Sequence, residues 1–413
     1  MQRHSGFGGL DVDVLTGLLP AACRRDPAGL TEAASAILAD ERGLEYFTVL
    51  ASRHGVRGLA LSALQRAGGL DKLSPHVAER ARENLRALRR RATILGLERD
   101  RMLAILRRRD LDVVVLKGAG LASTVYRDPV ERDFGDVDVL LPPAQIDAAV
   151  EALGQHGYAF PGPTGAAAAY RQHHFHLRMQ RGGGLVIELH WDLTLALELF
   201  RLDPAAFLAE SVTAGATGVE FRVPRPEHAL LHVVLENVRD AFSRLTRLVD
   251  VDRIVASAPE LDWDHLHAAA RTGGLGPALA LCLELSRGAL GTEIPMEVQR
   301  RMRPTRAVRF HLALLRPASS LLSQRAIARP SWGELIQLWL VTGRSRGMTL
   351  LQMLRADSGE PLQWLWDGGD SDTAAPASLA SRLSRVAKVV GYQLGLYASG
   401  LAGLAGEARS KLW

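Results

Sequence analysis

The sequence predicts an α+β protein: a mixed-sheet core at 111–224, flanked by helical regions at 1–110 and 225–367. Three observations carry this. Outside 111–224, apolar residues recur at three- and four-residue spacing, as in amphipathic helices. Inside it, short β-branched or alternating runs stand between glycine and proline breaks. The composition is that of a packed chain: 413 residues, 47% hydrophobic and 23% charged, with mean hydropathy +0.02. It excludes a wholly disordered chain, a collagen-like fibre and a polytopic membrane protein. A chain of this length buries a sizeable core without staples.

Taken in order, 30–38, 44–53, 58–67 and 75–108 read as helices. The last is arginine-rich, with an apolar stripe of Leu95, Leu97, Met102, Leu103 and Leu106, and reads as a solvated amphipathic helix. Val113-Val114-Val115-Leu116 reads as a buried strand, and Lys117-Gly118-Ala119-Gly120 turns it into a helix running to Tyr126. Residues 136–141 alternate acid and apolar and predict a second strand, which Pro142-Pro143 ends before a helix at 145–156. Further strands are expected at 158–160, 174–179, 185–191 and 219–223, with Gly182-Gly183-Gly184 turning the chain between two of them. Helices follow at 227–240, 245–258, 263–271 and 277–290, with Asp262 as an N-cap, and the helical pattern continues around 297–315 and 332–356. Residues 368–378 read as a linker. Within 379–413, residues 389–406 hold no charge over 18 positions but five glycines. This predicts a packed apolar helix, with a peripheral membrane or protein contact and a membrane span as alternatives.

The net charge is +5, almost all of it from arginine; the four lysines are Lys72, Lys117, Lys388 and Lys411. A basic balance permits phosphate-bearing partners, and arginine-rich composition alone also accounts for it. Two cysteines, Cys23 and Cys282, supply neither a disulfide framework nor a zinc cage and fit a reducing compartment. Residues 1–9 lack the basic-then-apolar pattern of a secretory leader, so a cytoplasmic location is expected.

The chemistry concentrates in three segments. Asp136 and Asp138 are two apart on a strand and share one face, while Val137, Val139 and Leu141 point into a core. Neighbouring carboxylates repel unless neutralised, and a divalent ion such as Mg²⁺ does this while keeping positions for substrate phosphates. Glu188 shares a face with His190 on another predicted strand. If that strand is adjacent, three carboxylates converge, enough for two metals roughly 3.5–4 Å apart and in-line displacement at phosphorus. Gly118, between strand and helix, is placed to let backbone N–H groups approach a phosphate at a helix N-terminus. Lys117 and Arg132 can neutralise phosphate charge, and Ser123 or Thr124 can add a hydroxyl. Each piece alone is ordinary: an Asp-x-Asp on a strand edge, a Lys-Gly turn, a Glu-x-His on a strand. Their order together is the signal. His173, His174 and His176 read as structural, and Asp250 beside Arg247 and Arg253 as a helix-packing salt bridge.

Leu116-Lys117-Gly118, Arg132, Asp136-Val137-Asp138-Val139-Leu140 and Glu188-Leu189-His190-Trp191 occur in the order seen in a known family. Over about residues 30–290 the chain resembles the poorly characterised bacterial nucleotidyltransferases of the DNA polymerase β superfamily. The Lys-Gly and Arg-x-x-x-Asp-x-Asp spacing is also similar to toxin-type nucleotidyltransferases. The resemblance implies a polymerase β-like mixed sheet. It implies transfer of a nucleoside monophosphate from an NTP to an acceptor hydroxyl or phosphate, dependent on Mg²⁺ with Mn²⁺ as a substitute. Asp136 and Asp138 would ligate the metal, and Glu188 would complete the site or act as base. Lys117, Gly118, Ala119, Ser123, Arg132 and His190 would contact the nucleotide. Ala119 stands where the superfamily often has a second Gly or Ser, and the gap from Gly118 to Asp136 is longer than its commonest spacing. The acceptors the resemblance allows are a small molecule, a glycan precursor or a peptide, or RNA and protein as in toxin relatives. The rival readings are a catalytically silent scaffold of the same fold and a basic RNA-binding helical protein.

Overall fold

A computed structural model describes residues 12–26, 41–162, 174–194, 200–215, 220–240 and 244–302, with isolated positions between these segments. The expected helices at 30–38 and 332–356, the linker at 368–378 and the apolar segment 379–413 lie outside the described residues, as does 303–315.

The N-terminal helices are α1 (Val12–Cys23), α2 (Glu41–Arg53), α3 (Arg57–Arg66) and α4 (Pro75–Arg107). Pro75 opens α4 at a position whose N–H has no partner within the helix. Buried Val77, Ala81, Leu85, Leu88, Leu95, Met102 and Leu106 form one stripe along it. Its first half packs among the helices and its second half against the sheet, so one 33-residue helix spans two cores. Leu97 departs from the expected stripe: two residues past Leu95 it lies ~200° around the helix and is exposed. Gly58 of α3 meets the 3-10 turn Pro129–Glu131, where a Cβ would stand 1.8 Å from the Val130 carbonyl oxygen. No larger residue fits that approach.

The sheet has six strands: β1 (Val114–Val115), β2 (Asp136–Leu140), β3 (His176–Gln180), β4 (Val186–His190), β5 (Val212–Ala214) and β6 (Phe221–Val223). Their order is β3-β4-β2-β1-β6-β5. β2–β4 and β1–β6 are parallel; the other three pairings are antiparallel. The strand expected at 158–160 is reduced to one bridge, Ala159 to Gln180. The edge strand β5 has three residues, too few for alternation to reveal.

Val115, Val137, Val139, Ile187 and Leu189 are fully buried on one face, against α4 and α6 (Ile146–Gly154). Each buried aliphatic side chain of this kind stabilises by about 1.5–3 kcal/mol. The opposite face carries Val114 and Leu140 into the helical core. That core is built on α8 (Pro226–Arg239), α9 (Leu245–Ser257), α10 (Trp263–Thr272) and α11 (Gly276–Leu290), with α5 (Lys117–Thr124) and α7 (Pro204–Ala209) beside it and α12 (Met296–Arg301) last. Asp262 caps α10 as the sequence indicates, its Oδ1 accepting from the His265 N–H at 2.9 Å. Cys23 and Cys282 are both buried and unpaired. No helix among the described residues is long and apolar enough to cross a membrane.

His54 joins the N-terminal helices to the start of α9. Its Nδ1 accepts from the Leu245 N–H at 3.4 Å and its carbonyl accepts from the Thr246 N–H at 3.1 Å. Burial, with Arg244 and Arg53 nearby, pushes its pKa down from 6.5 to about 4. The unfolded chain therefore takes up this proton first as pH falls. The stability owed to neutral His54 is complete above pH 6.5 and is lost between 6.5 and about 4. Urea unfolding across that window should show a loss larger in wild type than in His54→Gln, by up to ~3 kcal/mol. Equal slopes in the two proteins would refute this role.

Candidate functional site

Asp136, Asp138 and Leu140 alternate onto the sheet face that meets the helices. The parallel β2–β4 register sets Glu188 directly beside Asp138 and His190 beside Leu140. Leu116 follows β1, and its N–H donates to the Asp138 carbonyl at 2.9 Å. Lys117 follows at φ 45°, a left-handed conformation uncommon for a residue with a side chain. From there its Nζ reaches Asp138 Oδ1 at 3.1 Å.

His190 Nε2 lies 2.9 Å from the same Oδ1 and 3.5 Å from Glu188 Oε2. Both Asp138 contacts thus fall on Oδ1 and neither on Oδ2. His176 Nε2 and Arg178 Nε approach Glu188 Oε1 at 3.9 and 3.7 Å. On the other side Lys117 Nζ is 3.7 Å from Glu236 Oε1. Glu236 accepts from Arg239 at 2.7 Å and from Arg247 at 3.2 Å, and Arg247 continues to Asp240 at 3.1 Å. Cations and carboxylates alternate from His190 to Asp240.

The electrostatics follow from this ladder. Burial alone would raise the Asp138 carboxyl, but Lys117 and His190 hold it well below the usual carboxylate range. Glu236 behaves alike: burial opposes its charge, and Lys117, Arg239 and Arg247 outweigh burial. Burial would discharge Lys117, and Asp138 and Glu236 keep it protonated. Burial would lower His190, and its hydrogen bonds to Asp138 and Glu188 raise it. Asp136, at the exposed start of β2, is pushed up to about 6 by the protein crowding it and then by the charges of Asp138 and Glu188. Its local field is one that added positive charge would relieve.

The structure brings Lys117, Asp136, Asp138, Glu188 and His190 together. Gly118 is buried beside them: a Cβ there would stand 2.9 Å from Phe134 Cβ and 3.4 Å from Arg132 Nη1. Ala119 points away, into the core behind the sheet. Ser123 lies ~240° around α5 from Lys117, and its hydroxyl meets Arg99 of α4. Thr124 bonds back to the Gly120 carbonyl at 3.0 Å.

Arg132 departs most from the expected placement. It is buried, and its Nε and Nη2 donate to Asp250 Oδ1 and Oδ2 at 2.7 and 3.0 Å. Its guanidinium is taken up by α9 rather than facing the carboxylates. Asp250 does form a packing salt bridge, with Arg132 rather than with the neighbouring Arg247 or Arg253. It accepts from Arg132 and from the Tyr126 hydroxyl at 2.6 Å, while Arg247 turns to Glu236 and Arg253 to Asp252. Asp250 is fully buried, and only the inward partners reach it.

Sequence reasoning missed Glu236. The available signal was His228, His232 and Glu236 at four-residue spacing, three polar side chains on one face of a largely apolar helix. His176, set aside as structural, belongs with Glu188 and His190: these three offer ligand atoms within 4.8 Å of one another, enough to hold a metal ion. Asp136 and Asp138 lie on the same sheet face as Glu188 and add oxygens of the kind a hard divalent ion takes. Next to Lys117 a cavity of about 270 Å³ opens between α5, β6 and α8, apolar at Val115, Leu121, Val223 and Val233 and charged at Glu236.

Neither a curated protein nor a solved structure matches this chain. A sequence profile does match residues 40–291, a span running from α2 through α11 and holding every residue of the charge ladder. That profile describes an uncharacterised nucleotidyltransferase family, and the chain belongs to it.

Proposed function

We propose that the protein transfers a nucleoside monophosphate from an NTP to an acceptor hydroxyl or phosphate and releases pyrophosphate. The observation that carries this is the β2–β4 register, which sets Glu188 beside Asp138 with Asp136 on the same face at the exposed start of β2. These three carboxylates fit a divalent ion, Mg²⁺ first and Mn²⁺ as a substitute. When bound, such an ion supplies charge neutralisation to the triphosphate and the displaced pyrophosphate.

The chain's own groups divide the remaining work. Lys117 stays charged and stands at the N-terminus of α5, where backbone N–H groups and the helix dipole favour a phosphate. His190 orients Asp138 through Oδ1. An acceptor oxygen attacks the α-phosphorus, the bond to the β-phosphate oxygen breaks, and the acceptor's proton passes to a base. Glu188 serves as that base where the acceptor hydroxyl comes within about 3 Å, and otherwise as a metal ligand. A small molecule, glycan precursor or peptide is the acceptor on this reading, and RNA or protein is the toxin-like alternative.

Calorimetry with each of the four NTPs, with and without Mg²⁺, tests it. At least one NTP should bind only with metal, with Kd between about 1 μM and 1 mM. No binding of any NTP under either condition would leave the fold as a silent scaffold and sink the proposal. An RNA acceptor would show affinity falling steeply with salt.

A further inference from the structure

Away from the carboxylates, Glu210 ends α7, His228 lies in the first turns of α8, and His265 lies in the first turn of α10. One ligand atom from each lies within 4.8 Å of the other two. His228 is only 4% exposed and its Nδ1 is buried without a hydrogen-bond partner; His265 Nε2 is equally buried and unpartnered. A buried imidazole nitrogen without a partner is costly. Both rings offer a nitrogen close to the Glu210 carboxylate, and each ring keeps a buried nitrogen that has no protein partner.

The surroundings hold the rings in place. His228 stacks on Phe207 of α7, with ring centroids 4.6 Å apart and planes 7° from parallel. His265 leans on His228 at 5.6 Å, and its backbone is fixed by the Asp262 cap. Arg225 donates to Glu210 Oε2 at 2.8 Å and to Glu227 Oε2 at 2.7 Å. Its charge is thus shared between two carboxylates, and its hydrogen bond to Glu210 falls on Oε2.

We infer that Glu210, His228 and His265 form a second metal site, for a divalent transition ion of the Zn²⁺ type, separate from the carboxylates of β2 and β4. Two imidazole nitrogens and one carboxylate oxygen are borderline-soft donors that suit Zn²⁺ better than Mg²⁺. Tetrahedral ligands at ~2.0–2.1 Å from the ion stand ~3.3 Å apart. Closing from 4.8 Å asks for side-chain shifts of little more than an ångström. The ion ties α7, α8 and α10 together, and water takes the fourth position. It also anchors α8 two turns before Glu236, the residue that holds Lys117. The site is independent of the nucleotidyl-transfer reading.

The test uses the full chain stripped by chelator, with Glu188→Gln introduced to disable the His176, Glu188 and His190 set. Zn²⁺ is titrated in competition with a chromophoric chelator. One Zn²⁺ per chain should bind with Kd below about 1 μM, and the melting temperature should rise with Zn²⁺. Adding His265→Ala or Glu210→Gln should weaken binding at least tenfold and remove that rise. Both side chains are partly exposed, so melting in chelator should stay as in Glu188→Gln, which separates ligand loss from unfolding. Failure of the Glu188→Gln protein to bind Zn²⁺, or less than a tenfold loss on His265→Ala, overturns the inference.

Discussion

Asp136→Asn lowers turnover by at least about 10²–10³-fold and leaves the protein as stable as wild type or slightly more so. The two effects have one cause. Asp136 shares a sheet face with Asp138 and Glu188, and the crowding protein, with these charges, pushes its carboxyl up to about 6. A carboxyl raised in the folded state favours folding only while protonated. Its contribution is present below the ordinary value of 3.8, is lost as pH rises through about 6, and is a cost at pH 7. Asparagine removes that cost. Because Asp136 is exposed, water screens most of it and the gain stays under ~1 kcal/mol. The same substitution removes the charge best placed at the mouth of the site to meet a metal-bound triphosphate. Steady-state pyrophosphate release and urea unfolding of the same preparation read both halves. Full turnover would remove Asp136 from the mechanism, and a loss of several kcal/mol would mean that its charge is paired rather than repelled. Asp138→Asn should abolish turnover as well, but it also leaves Lys117 and His190 without their shared partner. Its effect on stability has the opposite sign.

The parts of this site that strand chemistry fixes were legible in the sequence. Alternation alone puts Asp136 and Asp138 on one face and Val137 and Val139 on the other, and the structure follows it. Glycine at 118 reads as room for a phosphate, and the structure sets Phe134 and Arg132 against it. What was not legible depends on contacts between distant segments. The Arg132–Asp250 pair joins residues 118 apart, and no periodicity within α9 says which of its arginines Asp250 will ignore. Glu236 belongs to the site because α8 packs against the start of α5, which hydrophobic spacing along α8 does not encode. Arg132 shows how residue type misleads when the partner is unknown. A guanidinium fork binds carboxylate and phosphate with the same geometry, so the sequence indicates the class of partner and not that Asp250 is the one held here.

That ambiguity makes Asp250→Ala the more destructive substitution, with an expected loss of about 3–5 kcal/mol in unfolding free energy. Arg132 is buried and stays charged, because burial, which would discharge it, is outweighed by Asp250. Without Asp250 a guanidinium and the Tyr126 hydroxyl remain in the interior with no acceptor from α9. Removing one partner of such a pair costs far more than removing both. The double variant Arg132→Met with Asp250→Leu should therefore recover most of the loss, and the cycle of four proteins isolates the coupling. The double variant also decides what Arg132 is for. Its Nη1 lies against Gly118, at the start of the helix that presents Lys117, so as a positioning residue it acts by holding that turn. A well-packed apolar pair can hold the same turn, and metal-dependent NTP affinity should then stay within about tenfold of wild type. Recovered stability with NTP binding lost would instead place the charge of Arg132 on the triphosphate. The fork would then have to leave Asp250 when the nucleotide arrives, and Asp250→Ala, once corrected for unfolded protein, would bind NTP more tightly than wild type.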